Sequence, residues 1–329
     1  MRLAFSIALL LCVAGCVASG GESPAPLEPV GRTAQVPNDP DDPAIWIHPS
    51  DSSKSLILGT DKTESVGGIY VFGLDGALRQ SLTPLDRPNN IDVEYGFAAA
   101  GGSTDIAVVT ERLQHRLRVF AIPPDGGPLT DLAPGGLSVL AGETGDAFEP
   151  MGIAVYKRPR DGAVFAIVAP KTGPTTNYLW QYRFESDPAG RMTATLVRRF
   201  GTFSRVGAEP DEIGEIEAVV VDDALGYVYY SDERSAIRKY HADPDHPDAA
   251  RELAVIGADG YMGDREGLAI YQTGERTGFL VSSDQVPGGS RVKLYRREGT
   301  GQNPHDHSDV RTVVTVSDST DGLEVTSRP

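Results

Sequence analysis

The chain has 329 residues and a formal net charge of −16, with 40% hydrophobic residues and two cysteines. That length suffices for one large domain with a substantial core, and nothing in it marks a second globular unit. The acidic balance argues against a nucleic-acid partner, because phosphate backbones demand a surplus of Lys and Arg.

At the N-terminus, Arg2 supplies a positive charge, Leu3 to Val13 an apolar run, and Val13-Ala14-Gly15-Cys16 a small-residue box. This pattern predicts a bacterial lipoprotein signal peptide over 1–15, with Cys16 lipidated after cleavage. Val17 after that cysteine favours sorting to an outer membrane in a Gram-negative host, and the expected location is extracytoplasmic: lipid-anchored at a membrane or cell surface, or else periplasmic or secreted. Cys12 lies in the removed segment, which leaves Cys16 alone and excludes an intrachain disulfide. Residues 16–31, rich in Gly, Ser, Pro and Glu, read as a flexible tether.

From there an acidic residue followed by a short apolar strand recurs six times, beginning at Asp42, Asp92, Glu149, Glu217, Glu266 and Asp321. The steps of 50, 57, 68, 49 and 55 residues fit one four-stranded propeller blade per repeat. In each of the first five repeats two more β-rich runs follow. The second runs start at Ser55, Asp105, Val164, Gly226 and Gly278; the third at Ile69, Leu117, Leu179, Ile237 and Val292. Gly, Pro, Asp and Asn separate them, so they read as antiparallel strands. The expected fold is all-β: a six-bladed β-propeller over 32–329, with the sixth blade incomplete at the C-terminus because the chain stops at Pro329. Arg32 to Val36 are expected to add at most one strand to that blade.

Antiparallel pairing returns the end of each second strand to the face where the first began. Lys62, Arg112, Lys171, Glu233 and Gln285 lie just past those ends, so they join the six acidic starts in one mixed cluster. Asn89 and Asn90 read equally as turn-shaping residues and as ligand contacts. His305-Asp306-His307 reads as a solvated turn rather than a metal tract.

Asp41-Asp42-Pro-Ala-Ile-Trp-Ile-His-Pro, Asn89-Asn90-Ile-Asp92, Glu217 with Asp222-Asp223 and Tyr229-Tyr230-Ser-Asp-Glu233, and Asp264-Arg-Glu266-Gly-Leu together resemble the β-propeller (alkaline) phytases, from about Val36 to the last residue. The resemblance implies several calcium ions and calcium-dependent hydrolysis of phosphomonoesters of myo-inositol hexakisphosphate (phytate) by metal-assisted attack of water. It places Asp41, Asp42, Lys62, Arg112, Lys171, Glu217, Glu233 and Glu266 at family site positions, with Asp321 and Glu324 in the motif of the last acidic group. The expected metal ligands are then Asp41, Asp42, Glu217, Glu233, Glu266, Asp321 and Glu324. Lys62, Arg112 and Lys171 would bind phosphate, and Asp42, Arg112, Glu217, Glu233 and Glu266 would act in catalysis. Relative to that family the chain looks C-terminally truncated. It departs further at Met151, where the family often carries Tyr, and at Thr63, where some members show a second Lys; weaker binding of a second phosphate, or a different preference among inositol phosphates, is expected. The partners expected are phytate as its calcium complex and a membrane through the lipid alone, for a monomer with no nucleic-acid contact.

Bound Ca²⁺ would invert the sign of a carboxylate ring and make it a phosphate receptor. Two rivals fit a similar scaffold: a calcium-dependent lactonase-like hydrolase, against which Lys62, Arg112 and Lys171 argue, and a calcium-stabilised binding module.

Overall fold

Val-, Ile- and Tyr-rich runs broken by Gly, Pro and Asp pair here with their nearest neighbours in sequence, as short turns require. The computed structural model describes residues 25–209 and 212–328. The signal peptide, Cys16 and the tether as far as residue 24 lie outside the described residues.

Among the described residues five blades are present, not six. The first comprises β1 (Pro40–Trp46), β2 (Leu56–Asp61), β3 (Gly67–Gly73) and β4 (Leu78–Leu85). The second comprises β5 (Pro88–Ala99), β6 (Gly102–Glu111) and β7 (Arg116–Ile122), whose outer edge is shared by the short β8 (Thr130–Asp131) and β9 (Leu137–Ser138). The third is β10 (Pro150–Lys157), β11 (Val164–Pro170), β12 (Thr176–Ser186) and β13 (Met192–Thr202). The fourth is β14 (Val219–Asp222), β15 (Tyr227–Asp232), β16 (Ala236–His241) and β17 (Ala254–Ile256). The fifth is β18 (Leu268–Gln272), β19 (Gly278–Asp284), β20 (Arg291–Arg296) and β21 (Asp309–Val314).

Apolar side chains fill the space between successive blades. Leu58, Ile69 and Val109 lie between the first and second blades, Val108, Ile153 and Trp180 between the second and third. Phe165, Tyr178 and Val228 join the third to the fourth, and Tyr229, Leu280 and Tyr295 the fourth to the fifth. No such cluster joins the fifth blade to the first among the described residues. The sixth acidic phrase lies there instead as an extended segment, 320–328, with no strand partner. A strand without a neighbour cannot satisfy its own peptide groups, so the phrase does not become a blade.

That segment nonetheless sits tightly at the axis. A Cβ on Gly267 would collide with Leu323, and one on Gly322 with Asp42 and Pro43, so the glycine after each acidic residue is what lets the inner chains approach. A cleft of about 440 Å³ remains beside it, lined by Ile45, Ile47, Tyr95, Ile270 and Val325 among others. Across the outside of the gap the N-terminal segment spans from blade to blade. Leu27 N donates to Val314 O at 2.9 Å, and Ala34 N to Gly76 O at 2.7 Å. Residue 27 thus lies on the fifth blade and residue 34 on the first, rather than both joining a sixth.

His307 also departs from its sequence reading, because it is buried. Its Nδ1 donates to Arg296 O at 2.7 Å, which leaves Nε2 to accept from Lys239 Nζ at 2.9 Å. It ties the loop before β21 to β16.

Hydroxyl groups near the ends of the second strands stitch the first blade to the second and the second to the third. Thr60 Oγ1 donates to Asn89 O at 2.7 Å, and Thr110 Oγ1 to Met151 O at 2.8 Å while accepting from Asn90 N at 3.0 Å. The equivalent Ser231 hydroxyl is buried without a partner. Thr110→Val is therefore expected to destabilise by about 1–3 kcal/mol, since it strands two buried backbone groups, whereas Ser231→Ala stays within about 0.5 kcal/mol. Urea unfolding of both variants checks this; equal losses would contradict the stitching role.

Candidate active site

The site is built by a register common to all five blades. The backbone N–H of Lys62, Arg112, Lys171, Glu233 and Gln285 donates to the carbonyl of Asp39, Arg87, Glu149, Glu215 and Asp264, at 2.9, 3.1, 2.8, 3.4 and 2.9 Å in turn. Those five bonds make the five donor residues equivalent. Two residues after the accepting carbonyl, Asp41, Asn89, Met151, Glu217 and Glu266 are equivalent in the same way. The result is two concentric rings at one mouth of the channel.

This register corrects the sequence alignment of the repeats in three blades, the first because Asp42 falls one residue past the inner-ring place of Asp41. In β1, β5 and β10, three steps from Pro40, Pro88 and Pro150 match two steps on the neighbouring strand, reaching Pro43, Ile91 and Ile153. The extra residue is a bulge. With it, Asp92 aligns with Ala44 and falls three residues below the inner ring, while Glu149 falls two residues outside it. The six carboxylates do not all converge, because the acidic phrases start at different steps of a register that only the pairing between strands fixes.

The rings divide into two poles. The outer ring is cationic in the first three blades, through Lys62, Arg112 and Lys171, and carries Glu233 and Gln285 in the last two. Inward of Glu233 stand Glu217 and Glu266, and the three carboxylates have oxygens within 4.8 Å of one another. Asp321 closes the circle from the extended segment, accepting from Gln285 Nε2 at 2.9 Å and lying 3.4 Å from Lys62 Nζ. Lys62 Nζ donates to Asp41 Oδ1 at 2.7 Å, and Asp42 Oδ2 accepts from Ile91 N at 3.0 Å. Arg112 is held by Glu149, Nε to Oε2 at 2.6 Å, and Lys171 Nζ lies 3.7 Å from Asp146.

Glu324 is not one of the three clustered carboxylates, although it lines a small cavity together with Asp42 and Glu266. It lies lower in the channel with Asp92, Glu94 and Asp223, around a cavity of about 210 Å³.

Crowding and burial make the carboxyls of both groups weaker acids. Burial, then the charges of Glu233 and Glu217, pushes Glu266 up to about 10. Burial, then Glu217 and Glu215, pushes Glu233 up to about 8. Asp41 rises to about 7 through burial and Glu217, against the pull of Lys62. Asp42 is raised well above its ordinary value, chiefly by burial. Burial works against the Lys62 ammonium, but Asp41 and Glu217 lift it above the usual lysine range. In the lower tier burial carries Asp92 and Asp223 to about 7, Glu324 to about 8 and Glu94 to about 9.

Such a pole needs either protons or a cation. Asp41 Oδ2 is buried with no hydrogen-bond partner, and Glu217, Glu233 and Glu266 offer only oxygens. Hard oxygen donors of this kind, drawn from several strands, suit a divalent cation such as Ca²⁺ or Mg²⁺. The cationic half beside it suits an anion.

A family model described as Phytase matches residues 25–327. The chain belongs to the phytase family. A 3-phytase of Bacillus subtilis (strain 168) is 29% identical over 289 residues, covering 87% of this chain and 69% of that protein. Among solved structures, the Cps50 (Swd1) β-propeller domain of Myceliophteria thermophila is 12% identical, with a TM-score of 0.47 over 87% of this chain and 76% of that one. So distant a likeness does not bear on function. This phytase is an enzyme acting on a small-molecule substrate, and its fold is an all-β propeller.

The residues of the site that single-sequence reasoning underrated are Asn89 and Gln285. Asn89 Nδ2 donates to Glu217 Oε1 at 2.6 Å across the channel. The signal was available in the register: counting from the residue past the second strand, rather than from the acidic phrase, lands on Asn89.

Proposed function

We propose that this phytase releases phosphate from phytate in a calcium-dependent reaction at the two-pole mouth of the channel. The observation that carries the reading is the two-pole mouth, with Lys62, Arg112 and Lys171 on one side and the clustered Glu217, Glu233 and Glu266 on the other. Calcium held there would supply Lewis-acid polarisation of phosphoryl oxygens and the charge that lets a polyanion approach carboxylates.

The chain's own groups do the rest. Glu217, Glu233, Glu266, Asp41 and Asp321 would hold the cations, and Asp42 lines the same channel just below them. Lys62, Arg112 and Lys171 would bind phosphate oxygens, Arg112 being held through Nε by Glu149 and, as a guanidinium, having further N–H groups to offer. Proton acceptance from water belongs to the carboxylates as a group, since carboxylates this close titrate together. Buried Met151 stands where a phenol would otherwise reach phosphate, so the second phosphate is held more weakly on this reading.

Phosphate release from phytate by the full mature chain tests the proposal. Release with added Ca²⁺, falling at least about a hundredfold after chelation and returning on re-addition, is expected. Release indifferent to chelation would overturn the calcium role.

The same reading puts the enzyme outside the cytoplasm as a monomer, held by a lipid on Cys16. It is supported by the charge, apolar run and small-residue box before that cysteine. Labelled palmitate should enter the wild-type chain and not Cys16→Ser; equal labelling of both would refute anchoring at Cys16.

A further inference from the structure

We propose that Asn89 is a positioning residue whose side-chain amide sets Glu217, on the cation side, and Arg112, on the phosphate side, at fixed places relative to each other. The proposal rests on the calcium-dependent reading above.

Asn89 holds in the second blade the inner-ring place that carboxylates hold in the first, fourth and fifth. Its neighbours explain why an amide stands there. Across the channel Glu217 offers only acceptors, and beside it Arg112 offers only donors. An Asp would suit Arg112 and repel Glu217, and an apolar side chain would suit neither.

The amide orientation follows from the same chemistry. Nδ2 must face the carboxylate, and it donates to Glu217 Oε1 at 2.6 Å and to Asn90 Oδ1 at 2.9 Å. Oδ1 must face the guanidinium, and it accepts from an Arg112 terminal nitrogen at 3.4 Å. The backbone is pinned too, through Thr60 Oγ1 on Asn89 O at 2.7 Å. Asn89 is 0% exposed, so no water competes for these bonds.

Nothing else duplicates the link. Among the described residues Asn89 is the one N–H donor to Glu217, whose other side-chain hydrogen bond is to the Glu266 carboxyl, whereas Arg112 has its own anchor in Glu149. Loss of the amide should therefore free Glu217 to rotate and let Arg112 pivot about Glu149. Calcium binding and substrate turnover should suffer together.

The test compares wild type with Asn89→Ala in the full mature chain. Calcium titration by calorimetry without phytate should show affinity weakened about 10–100-fold, and kcat/KM for phytate should fall by a similar factor. In a double-mutant cycle with Glu217→Gln the two losses should be non-additive, because they remove one interaction. A drop in Tm with calcium affinity unchanged within about twofold, or additive losses in the cycle, would overturn the proposal and leave Asn89 a packing residue. Should Asn89→Ala not fold, the side-chain ¹⁵N–H signals of wild-type Asn89 carry the test. They should shift during calcium titration with the same midpoint as hydrolysis, and signals blind to calcium would count equally against it. Wild type without calcium-dependent release would instead defeat the functional reading itself, which separates the two failures.

Discussion

Glu217→Gln and Glu266→Gln are each expected to lower calcium-supported phosphate release from phytate by at least about a hundredfold at fixed calcium. Glu217, Glu233 and Glu266 place carboxylate oxygens within 4.8 Å of one another, a spacing that is repulsive unless protons or a cation intervene. A Gln keeps one oxygen ligand and the side-chain volume but removes a full charge, so the loss should be recovered in part by raising calcium. That dependence separates a ligand from a residue needed only for folding. Either variant retaining wild-type activity at limiting calcium would remove its residue from the site.

Calcium should stabilise the protein more as pH rises. Glu266 at about 10, Glu233 at about 8, Asp41 at about 7 and Glu324 at about 8 all stand above their ordinary values of 4.5, 4.5, 3.8 and 4.5. A carboxyl whose folded value is raised contributes stability that is complete below its ordinary value. That stability is lost as pH climbs through the folded value, because the unfolded chain ionises first. The chelated protein should therefore lose Tm between about pH 5 and pH 9. A cation takes the place of those protons, so binding releases protons and tightens with pH. At calcium a hundred times its dissociation constant the gain is about 2.7 kcal/mol, on the order of 5 °C in Tm. Melting curves at pH 5.5, 7 and 8.5, with calcium and with chelator, measure both trends. A chelated protein whose Tm rises across that range would contradict the proposed burial of these carboxyls.

Three strands of every blade are legible in the chain, because Val-Phe-Ala-Ile-Val at 164 or Tyr-Val-Tyr-Tyr at 227 is buried on both faces and reads as a continuous apolar run. The outermost strands are not. Arg79 to Ser81 in β4 and Asp309 to Thr312 in β21 are polar and mostly exposed, so no hydrophobic pattern marks them; they are strands only because a neighbour offers its edge. The cationic half of the site was legible for a comparable reason: Lys62, Arg112 and Lys171 follow strands that are easy to find.

By itself the sequence determined an all-β propeller, the strands one to three of each blade, the family, and the charged residues that crowd one mouth of the channel. These follow from local composition, strand-length periodicity and motif order, which need no knowledge of partners. Only the tertiary structure decided that five blades form and the sixth phrase stays an extended segment, that Asp92 and Glu324 belong to a lower tier, and that Asn89 rather than Asp92 takes the second blade's place in the ring. Each of those turns on a missing neighbour or on hydrogen-bond register, which is set by pairing between strands that no local stretch of chain contains.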